Sequence, residues 1–315
     1  MRALRIVFMG TPDFAVPTLD ALLGAGYEVV GVITAPDKPA GRGRKLHESA
    51  VKQYARDKGL TILQPTNLKS PDFQQDLRAL KANLQIVVAF RMLPREVWEM
   101  PEYGTVNLHA SLLPQYRGAA PINWAIINGE TKTGVTTFYI NERIDTGEVI
   151  LQDKTVIHAD ENAGALHDRL MALGAQLVLR TVSLIQKDSV HPIAQSETGA
   201  LKTAPKIHRD TCKIDWTNSA LLIYNKIRGL SPYPASWTNL YNPDKPTMLK
   251  VYKAAYREEG HSHDPGRLLL KDGHLEVAVH DGYIILLEIQ ISGKKKMTVK
   301  EFLNGHQIDN LAKLG

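Results

Sequence analysis

Arg5-Ile-Val-Phe-Met-Gly10, Pro17-Thr-Leu-Asp-Ala-Leu-Leu23 and Val29-Val-Gly-Val-Ile-Thr34 follow one another in the first 34 residues. The first is a short apolar run that stops at a glycine. The second has its apolar residues at helical spacing, with a proline at an early helical position, and the third is rich in β-branched residues. Strand, turn, helix and strand are therefore expected. The pattern continues outward. Ser49 to Lys58 and Ser70 to Lys81 read as amphipathic helices, the latter opened by Ser70-Pro71 as cap and first turn. Leu84 to Phe90, the run from Val106, and Gly134 to Ile140 read as strands, and Asn162 to Lys187 as a long closing helix. Strands alternating with helices predict an α/β domain: a doubly wound, mostly parallel, Rossmann-like sheet with helices on both faces. In such sheets ligands lie beyond the carboxyl ends of the strands.

Between Asp188 and His208 the chain turns irregular and polar, with Pro192, Gly199 and Pro205 as breakers. Beyond it, Asn218 to Arg228 has helical periodicity and the rest is short strands, with Asp272-Gly273 and Asp281-Gly282 between apolar runs. Asp-Gly in that setting signals hairpins, so a small OB-like β-barrel is expected. The division expected is a catalytic domain over residues 1–189, a linker over 190–208 and a barrel domain over 209–315.

The 315 residues are 43% hydrophobic, enough for two cores. Cys212 is the single cysteine, so no internal disulfide can form, and a reducing, cytoplasmic setting is expected. Its simplest role is that of a small buried hydrophobe. No apolar run approaches membrane-spanning length, so no membrane partner is expected. The net charge of +5 permits a polyanionic partner without demanding one.

The chemistry points to Val106-Asn-Leu-His-Ala-Ser-Leu-Leu-Pro-Gln-Tyr-Arg-Gly-Ala-Ala-Pro121. Side chains alternate along a strand, which puts Asn107 and His109 on one face. A carboxamide and an imidazole at a strand end are what acyl transfer needs, one to hold a developing oxyanion and one to manage a proton. Asp145, in Ile140-Asn-Glu-Arg-Ile-Asp-Thr-Gly147, sits just past another strand; alone it reads as a turn former, and beside His109 it would orient the ring. Gly10-Thr-Pro-Asp-Phe14 lacks the spaced glycines of a dinucleotide fingerprint, which disfavours a nicotinamide enzyme. No metal is expected, because no ligand cluster is present. Positive charge collects at Lys38, Arg42, Arg44 and Lys45 around Gly41 and Gly43, at Lys294, Lys295 and Lys296, and at Lys202, Lys206 and Arg209. By charge alone these are solvated surface; on a nucleic acid they would contact phosphates.

Asn107-Leu-His109, Ser111-Leu-Leu-Pro114, Arg117-Gly-Ala-Ala-Pro121 and Asp145-Thr-Gly147 together resemble the folate-dependent formyltransferase family. Phe8-Met-Gly-Thr-Pro-Asp-Phe14, the Pro36 to Lys45 loop, Ile214-Asp-Trp216 and the appended barrel resemble its tRNA-acting branch, over nearly the whole chain. The resemblance implies formyl transfer from 10-formyltetrahydrofolate, as cosubstrate, to the α-amine of methionine carried by initiator tRNA. It implies Asn107, His109 and Asp145 as the catalytic trio, and Ser111, Leu112, Leu113, Pro114 and Phe90 on the folate side. It also implies tRNA contacts from Lys38, Arg42, Arg44, Lys45, Lys206 and Lys294 to Lys296, in a monomer. Phe90-Arg91 and Arg143 depart from the family's usual Tyr-Gly and Gly. Two other readings stay open: a formyltransferase acting on a small amine, which leaves the barrel and basic loop unexplained, and a non-catalytic RNA-binding protein.

Overall fold

A strand covered on both faces must be apolar throughout, and Ile6 to Gly10 of the first strand, β1 (Arg5–Gly10), are all buried. The structure, a computed structural model, describes residues 1–40, 45–242 and 245–315. Arg42 and Arg44 of the basic loop thus lie outside the described residues.

From β1 the chain runs through α1 (Val16–Gly24), β2 (Glu28–Ile33), α2 (Ala50–Asp57), β3 (Ile62–Leu63), α3 (Pro71–Ala79), β4 (Leu84–Val88), α4 (Arg95–Trp98) and β5 (Thr105–His109). After α5 (Pro121–Ile127) come β6 (Lys132–Tyr139), β7 (Val149–Val156) and the long helix α6 (Ala163–Gln186). Ser49 caps α2, its hydroxyl accepting from the Lys52 amide at 3.0 Å. Ser70 stands at the N-cap of α3 but makes no capping bond; Pro71 in the first turn, with its fixed φ, opens that helix.

The sheet order is β7-β6-β5-β4-β1-β2-β3. The pairs β1/β2, β1/β4, β2/β3 and β4/β5 are parallel, and β5/β6 is antiparallel. The chain first builds outward from β1 through β2 and then returns to its other side with β4, which makes the β1/β4 boundary a topological switch point. Register brings the carboxyl ends together there, Gly10 opposite Val88 and Val88 opposite Leu108. On one face Val7, Met9 and Val87 pack with Phe73, Leu77 and Val97 of α3 and α4. On the other, Leu108 lies over Gly174 of α6, and the Thr137 and Thr181 hydroxyls bond at 2.7 Å. The doubly wound reading holds.

The described residues pack as two units, one of Met1–Gly118, Thr133–Thr155 and His167–Thr203, the other of Ala119–Lys132, Val156–Leu166 and Ala204–Gly315. The second unit centres on α7 (Ala220–Leu230) and the antiparallel strands β8 (Ser236–Asn242), β9 (Lys245–Glu258), β10 (Leu268–Lys271), β11 (His274–Val279) and β12 (Gly282–Ile291). After β12 come β13 (Met297–Thr298), α8 (Val299–Gly305) and the terminal β14 (Lys313–Leu314). Its sheet runs β10-β11-β12-β9-β8-β14, and an Arg267 to Lys313 bridge joins the two ends into a nearly closed barrel. Closure protects strand edges, and Ile223, Ile227, Leu249, Val277, Ile284 and Phe302 fill the interior. Within this unit α5 packs on α7, where Asn123 Nδ2 donates to the Gly229 carbonyl at 2.7 Å.

Of the two expected Asp-Gly turns, Asp272-Gly273 forms as expected, with φ of 49° and 76° between the paired residues Lys271 and His274. The second turn is displaced by one residue, to His280-Asp281, and Gly282 belongs to the strand. The reason is a close approach: a Cβ on Gly282 would stand 2.1 Å from the Arg257 carbonyl oxygen.

Candidate active site

At the carboxyl end of β5 the alternation does what the sequence suggests. Leu108 is turned toward α6, while Asn107 and His109 occupy the opposite face. Asn107 is half-buried, and its carboxamide has no hydrogen-bond partner among the described residues. His109 is only 7% exposed. Its Nε2 lies 2.8 Å from the Tyr116 carbonyl, which can only accept, so Nε2 carries the proton. Its Nδ1 faces Asp145 Oδ2 at 3.7 Å, longer than a hydrogen bond.

Asp145 comes from the turn between β6 and β7. Its backbone is left-handed, with φ of 53°, a region that disfavours residues with a Cβ. Its Oδ2 accepts the Gly118 amide at 2.9 Å, which ties this turn to the loop after β5. Two further bonds hold the turn: Gln195 Nε2 donates to the carbonyls of Asp145, at 2.9 Å, and Gly147, at 2.8 Å. The Gln195 Oε1 in turn accepts Arg117 Nε at 3.0 Å and Nη2 at 2.7 Å. Gln195 lies in the stretch expected to be a linker, and no local sequence signal marks it.

Gly147 has no room for a side chain, because a Cβ there would stand 1.6 Å from the Tyr139 carbonyl oxygen. Gly147→Ala is therefore expected to destabilise the protein by about 3 kcal/mol or more and to abolish ordered placement of Asp145. Denaturant unfolding beside an activity assay checks this, and a variant with unaltered midpoint and turnover would contradict it.

The Ser111 to Pro114 loop is a framed bend. Ser111 and Leu113 are buried, while Leu112 and Pro114 are half-buried. The Ser111 hydroxyl donates to the Gln115 carbonyl at 2.6 Å, and Thr136 Oγ1 donates to the Ser111 carbonyl at 2.6 Å. Gln152 Nε2 reaches both the Leu113 carbonyl, at 2.8 Å, and Thr136 Oγ1, at 3.0 Å. Thr136 and Gln152 are framing residues that sequence reading missed. Phe90 is half-buried just past β4, with the Arg91 guanidinium 5.5 Å over its ring, and Arg91 is anchored on the Thr66 carbonyl at 3.0 Å. Arg143 is exposed and pairs with Glu197 at 3.2 Å.

The basic residues are spread. Lys38 is exposed in a small hairpin in which Lys38–Ala40 pairs with Lys45–His47. Both feet of this hairpin meet Lys52, whose Nζ lies 2.5 Å from Asp37 and 3.2 Å from Glu48. Hydrogen bonds from Lys52 and then Gln64 hold the Asp37 carboxyl below its usual range, and Asp37 in turn holds the Lys52 amine above its own. Lys206, Lys294 and Lys295 are exposed, and Lys296 pairs with Glu288 at 2.8 Å.

This geometry joins a carboxamide, an imidazole and a carboxylate at the carboxyl end of a central strand of a doubly wound sheet. Comparison with known proteins places it. Residues 4–182 match the formyl transferase family model, and residues 206–307 match the model of the formyl transferase C-terminal domain. A methionyl-tRNA formyltransferase of Flavobacterium johnsoniae is 56% identical over 314 residues, covering 100% of both chains. One of Bacteroides thetaiotaomicron is 52% identical over 313 residues, covering 98% of this chain and 97% of that one. The fold is shared with an N-formyltransferase from Helicobacter canadensis solved with folinic acid and dTDP-3-aminofucose, at a TM-score of 0.66 and 20% identity over 90% of this chain and 98% of that one. It is shared as well with HypX from Aquifex aeolicus in complex with tetrahydrofolic acid, at 0.65 and 20% identity over 98% of this chain and 49% of that one. With both of its parts matched and relatives more than half identical from end to end, the chain belongs to the formyl transferase family.

Proposed function

We propose that this chain transfers the formyl group of 10-formyltetrahydrofolate to the free α-amino group of methionine esterified to initiator tRNA, giving N-formylmethionyl-tRNA. The observation that carries the reading is the open Asn107 carboxamide beside a His109 ring held between a carbonyl and a carboxylate. The names of the full-length relatives support the acceptor.

The cosubstrate supplies an activated formyl carbon, and the chain's residues fit its needs. Asn107 donates Nδ2–H to the formyl oxygen as that oxygen gains charge during attack by the amine. His109 keeps its Nε2 proton on the Tyr116 carbonyl, which leaves Nδ1 as the basic position. Facing Asp145, Nδ1 takes up the proton the amine must lose and returns it to the leaving nitrogen. Ser111 to Pro114 and Phe90 shape the folate side of the crevice.

Residues 1–189 serve catalysis in this reading, 190–208 connect, and 209–315 hold tRNA. Lys38, Arg42, Arg44 and Lys45 approach the acceptor end, while Lys206 and Lys294 to Lys296 contact phosphates, an affinity that weakens with salt. The protein acts as a cytoplasmic monomer, since one chain supplies every group the reaction uses.

Lys52 anchors the basic hairpin at both feet, so Lys52→Met is expected to raise the KM for charged tRNA several-fold and leave the KM for folate unchanged. Equal change in both constants would contradict that. The anchor is insensitive to pH near neutrality. The Asp37 contribution is present above the ordinary carboxyl value and fades only as pH falls through the lowered one. The Lys52 contribution is present below the ordinary amine value and fades only as pH rises through the raised one.

The assay that tests the function offers formyl-folate with charged initiator tRNA, charged elongator tRNA or small amines. Formylation of charged initiator tRNA is expected. Formylation of a small amine alone would favour the rival enzyme, and no transfer at all would favour a binding protein.

A further inference from the structure

We infer that Gln195 is a positioning residue for formyl transfer, tying the Asp145 to Gly147 turn to Arg117 and so setting where the Asp145 carboxylate stands against His109. The inference rests on the functional reading above and deepens it.

A non-glycine residue in the left-handed region persists only where its surroundings over-determine it. Asp145 is such a residue, with φ of 53°. Besides the local bonds of Thr146 to Asn141 and Arg143, three bonds from other segments fix it and its turn: Gly118 N–H to Oδ2, and the two Gln195 Nε2 donations to the carbonyls of Asp145 and Gly147. The Gln195 amide is used completely, both donors on this turn and both acceptor positions on the Arg117 guanidinium. That assignment also orients the amide, since only its nitrogen can meet two carbonyls and only its oxygen can meet Arg117. Arg117 directly precedes Gly118, so the chain of contacts closes on itself: Arg117, Gln195, the Asp145 turn and Gly118. The Asp145 carboxylate is thereby gripped from both its side chain and its backbone.

The surrounding segment is held to the same loop. Ile193 and Val149 exchange backbone bonds of 2.8 Å, and Tyr116 N–H donates to the Lys202 carbonyl at 2.6 Å. Tyr116 is the residue whose carbonyl accepts from His109, so this stretch supports the imidazole as well as the carboxylate.

The test is a double-mutant cycle in the full-length protein, read as steady-state formyl transfer to charged initiator tRNA. Gln195→Met keeps the length and removes every polar contact. It is expected to lower kcat about 10- to 100-fold, as small misplacements of catalytic groups do, with both KM values unchanged. In the Asp145→Ala background the same change should alter kcat by less than about twofold, because the group being positioned is gone. Equal losses in the two backgrounds, or wild-type turnover for Gln195→Met, would overturn the inference. Gln195→Glu keeps an acceptor for Arg117 and loses both donors, so it should lose turnover as Gln195→Met does. Full activity there would also overturn the inference. If the wild-type chain formylates a small amine and not tRNA, the functional reading fails and the cycle is read with that amine. A wild-type chain that transfers to no acceptor defeats both.

Discussion

Asn107→Ala is expected to lower the turnover of formyl transfer by about a hundred- to a thousandfold, the cost of losing one oxyanion donor in acyl transfer. The structure gives this change an unusually clean meaning. The carboxamide has no hydrogen-bond partner among the described residues, so its removal leaves no donor or acceptor stranded inside the protein. Its backbone is held by β4 on one side and β6 on the other, with Asn107 opposite Val87 and Phe138. Thermal stability should therefore be near that of the wild type. An interaction made only as charge develops lowers kcat and kcat/KM together, so the KM for folate and for charged tRNA should stay put. Near-normal turnover would remove Asn107 from the chemistry, and a raised KM at constant kcat would make it a binding group.

His109→Ala carries the other large effect, a loss of turnover of about 10²- to 10⁴-fold, the range for removal of a positioned general acid or base. Here stability should suffer too. The ring is buried, and its loss takes a donor from the Tyr116 carbonyl. Losing a buried hydrogen bond costs about 0.5–1.5 kcal/mol. Unfolding midpoints and kinetics measured on the same preparation separate the two effects. An unfolded preparation would be replaced by His109→Gln, whose amide can still donate to Tyr116. Retained turnover in a folded variant would contradict the assigned role.

How far these groups could be read from the sequence depends on the range of the contacts involved. The parallel sheet was legible because β1 and β4 are covered on both faces and so are nearly continuous apolar runs. Asn107 and His109 were legible as a pair because strand alternation is a local rule. Asp145 was legible only by resemblance: a loop, α5 and β6 separate it from His109 in the chain, and nothing within a few residues of it encodes that contact. Gln195 shows the limit more sharply. It is a lone polar residue in an irregular stretch, and only the folded chain brings it to Arg117 and the Asp145 turn. Asp281-Gly282 erred for a related reason. A dipeptide rule puts the turn on the glycine, whereas the partner strand at Arg257 needs that glycine inside the ladder. The basic charge of the Pro36 to His47 loop was legible by composition, but its pairing into a hairpin and its anchor at Lys52 depend on which segments and carboxylates fold back to it.

In the proposed function His109 and Asp145 work as one device beside Asn107. A double-mutant cycle on formyl transfer to charged initiator tRNA, comparing His109→Ala, Asp145→Ala and the combined variant under single-turnover conditions, tests it most directly. Joint action predicts that the combined variant loses little more than the worse of the single variants, as groups acting as a unit do. Losses that multiply, with each residue contributing as fully in the absence of the other, would contradict it.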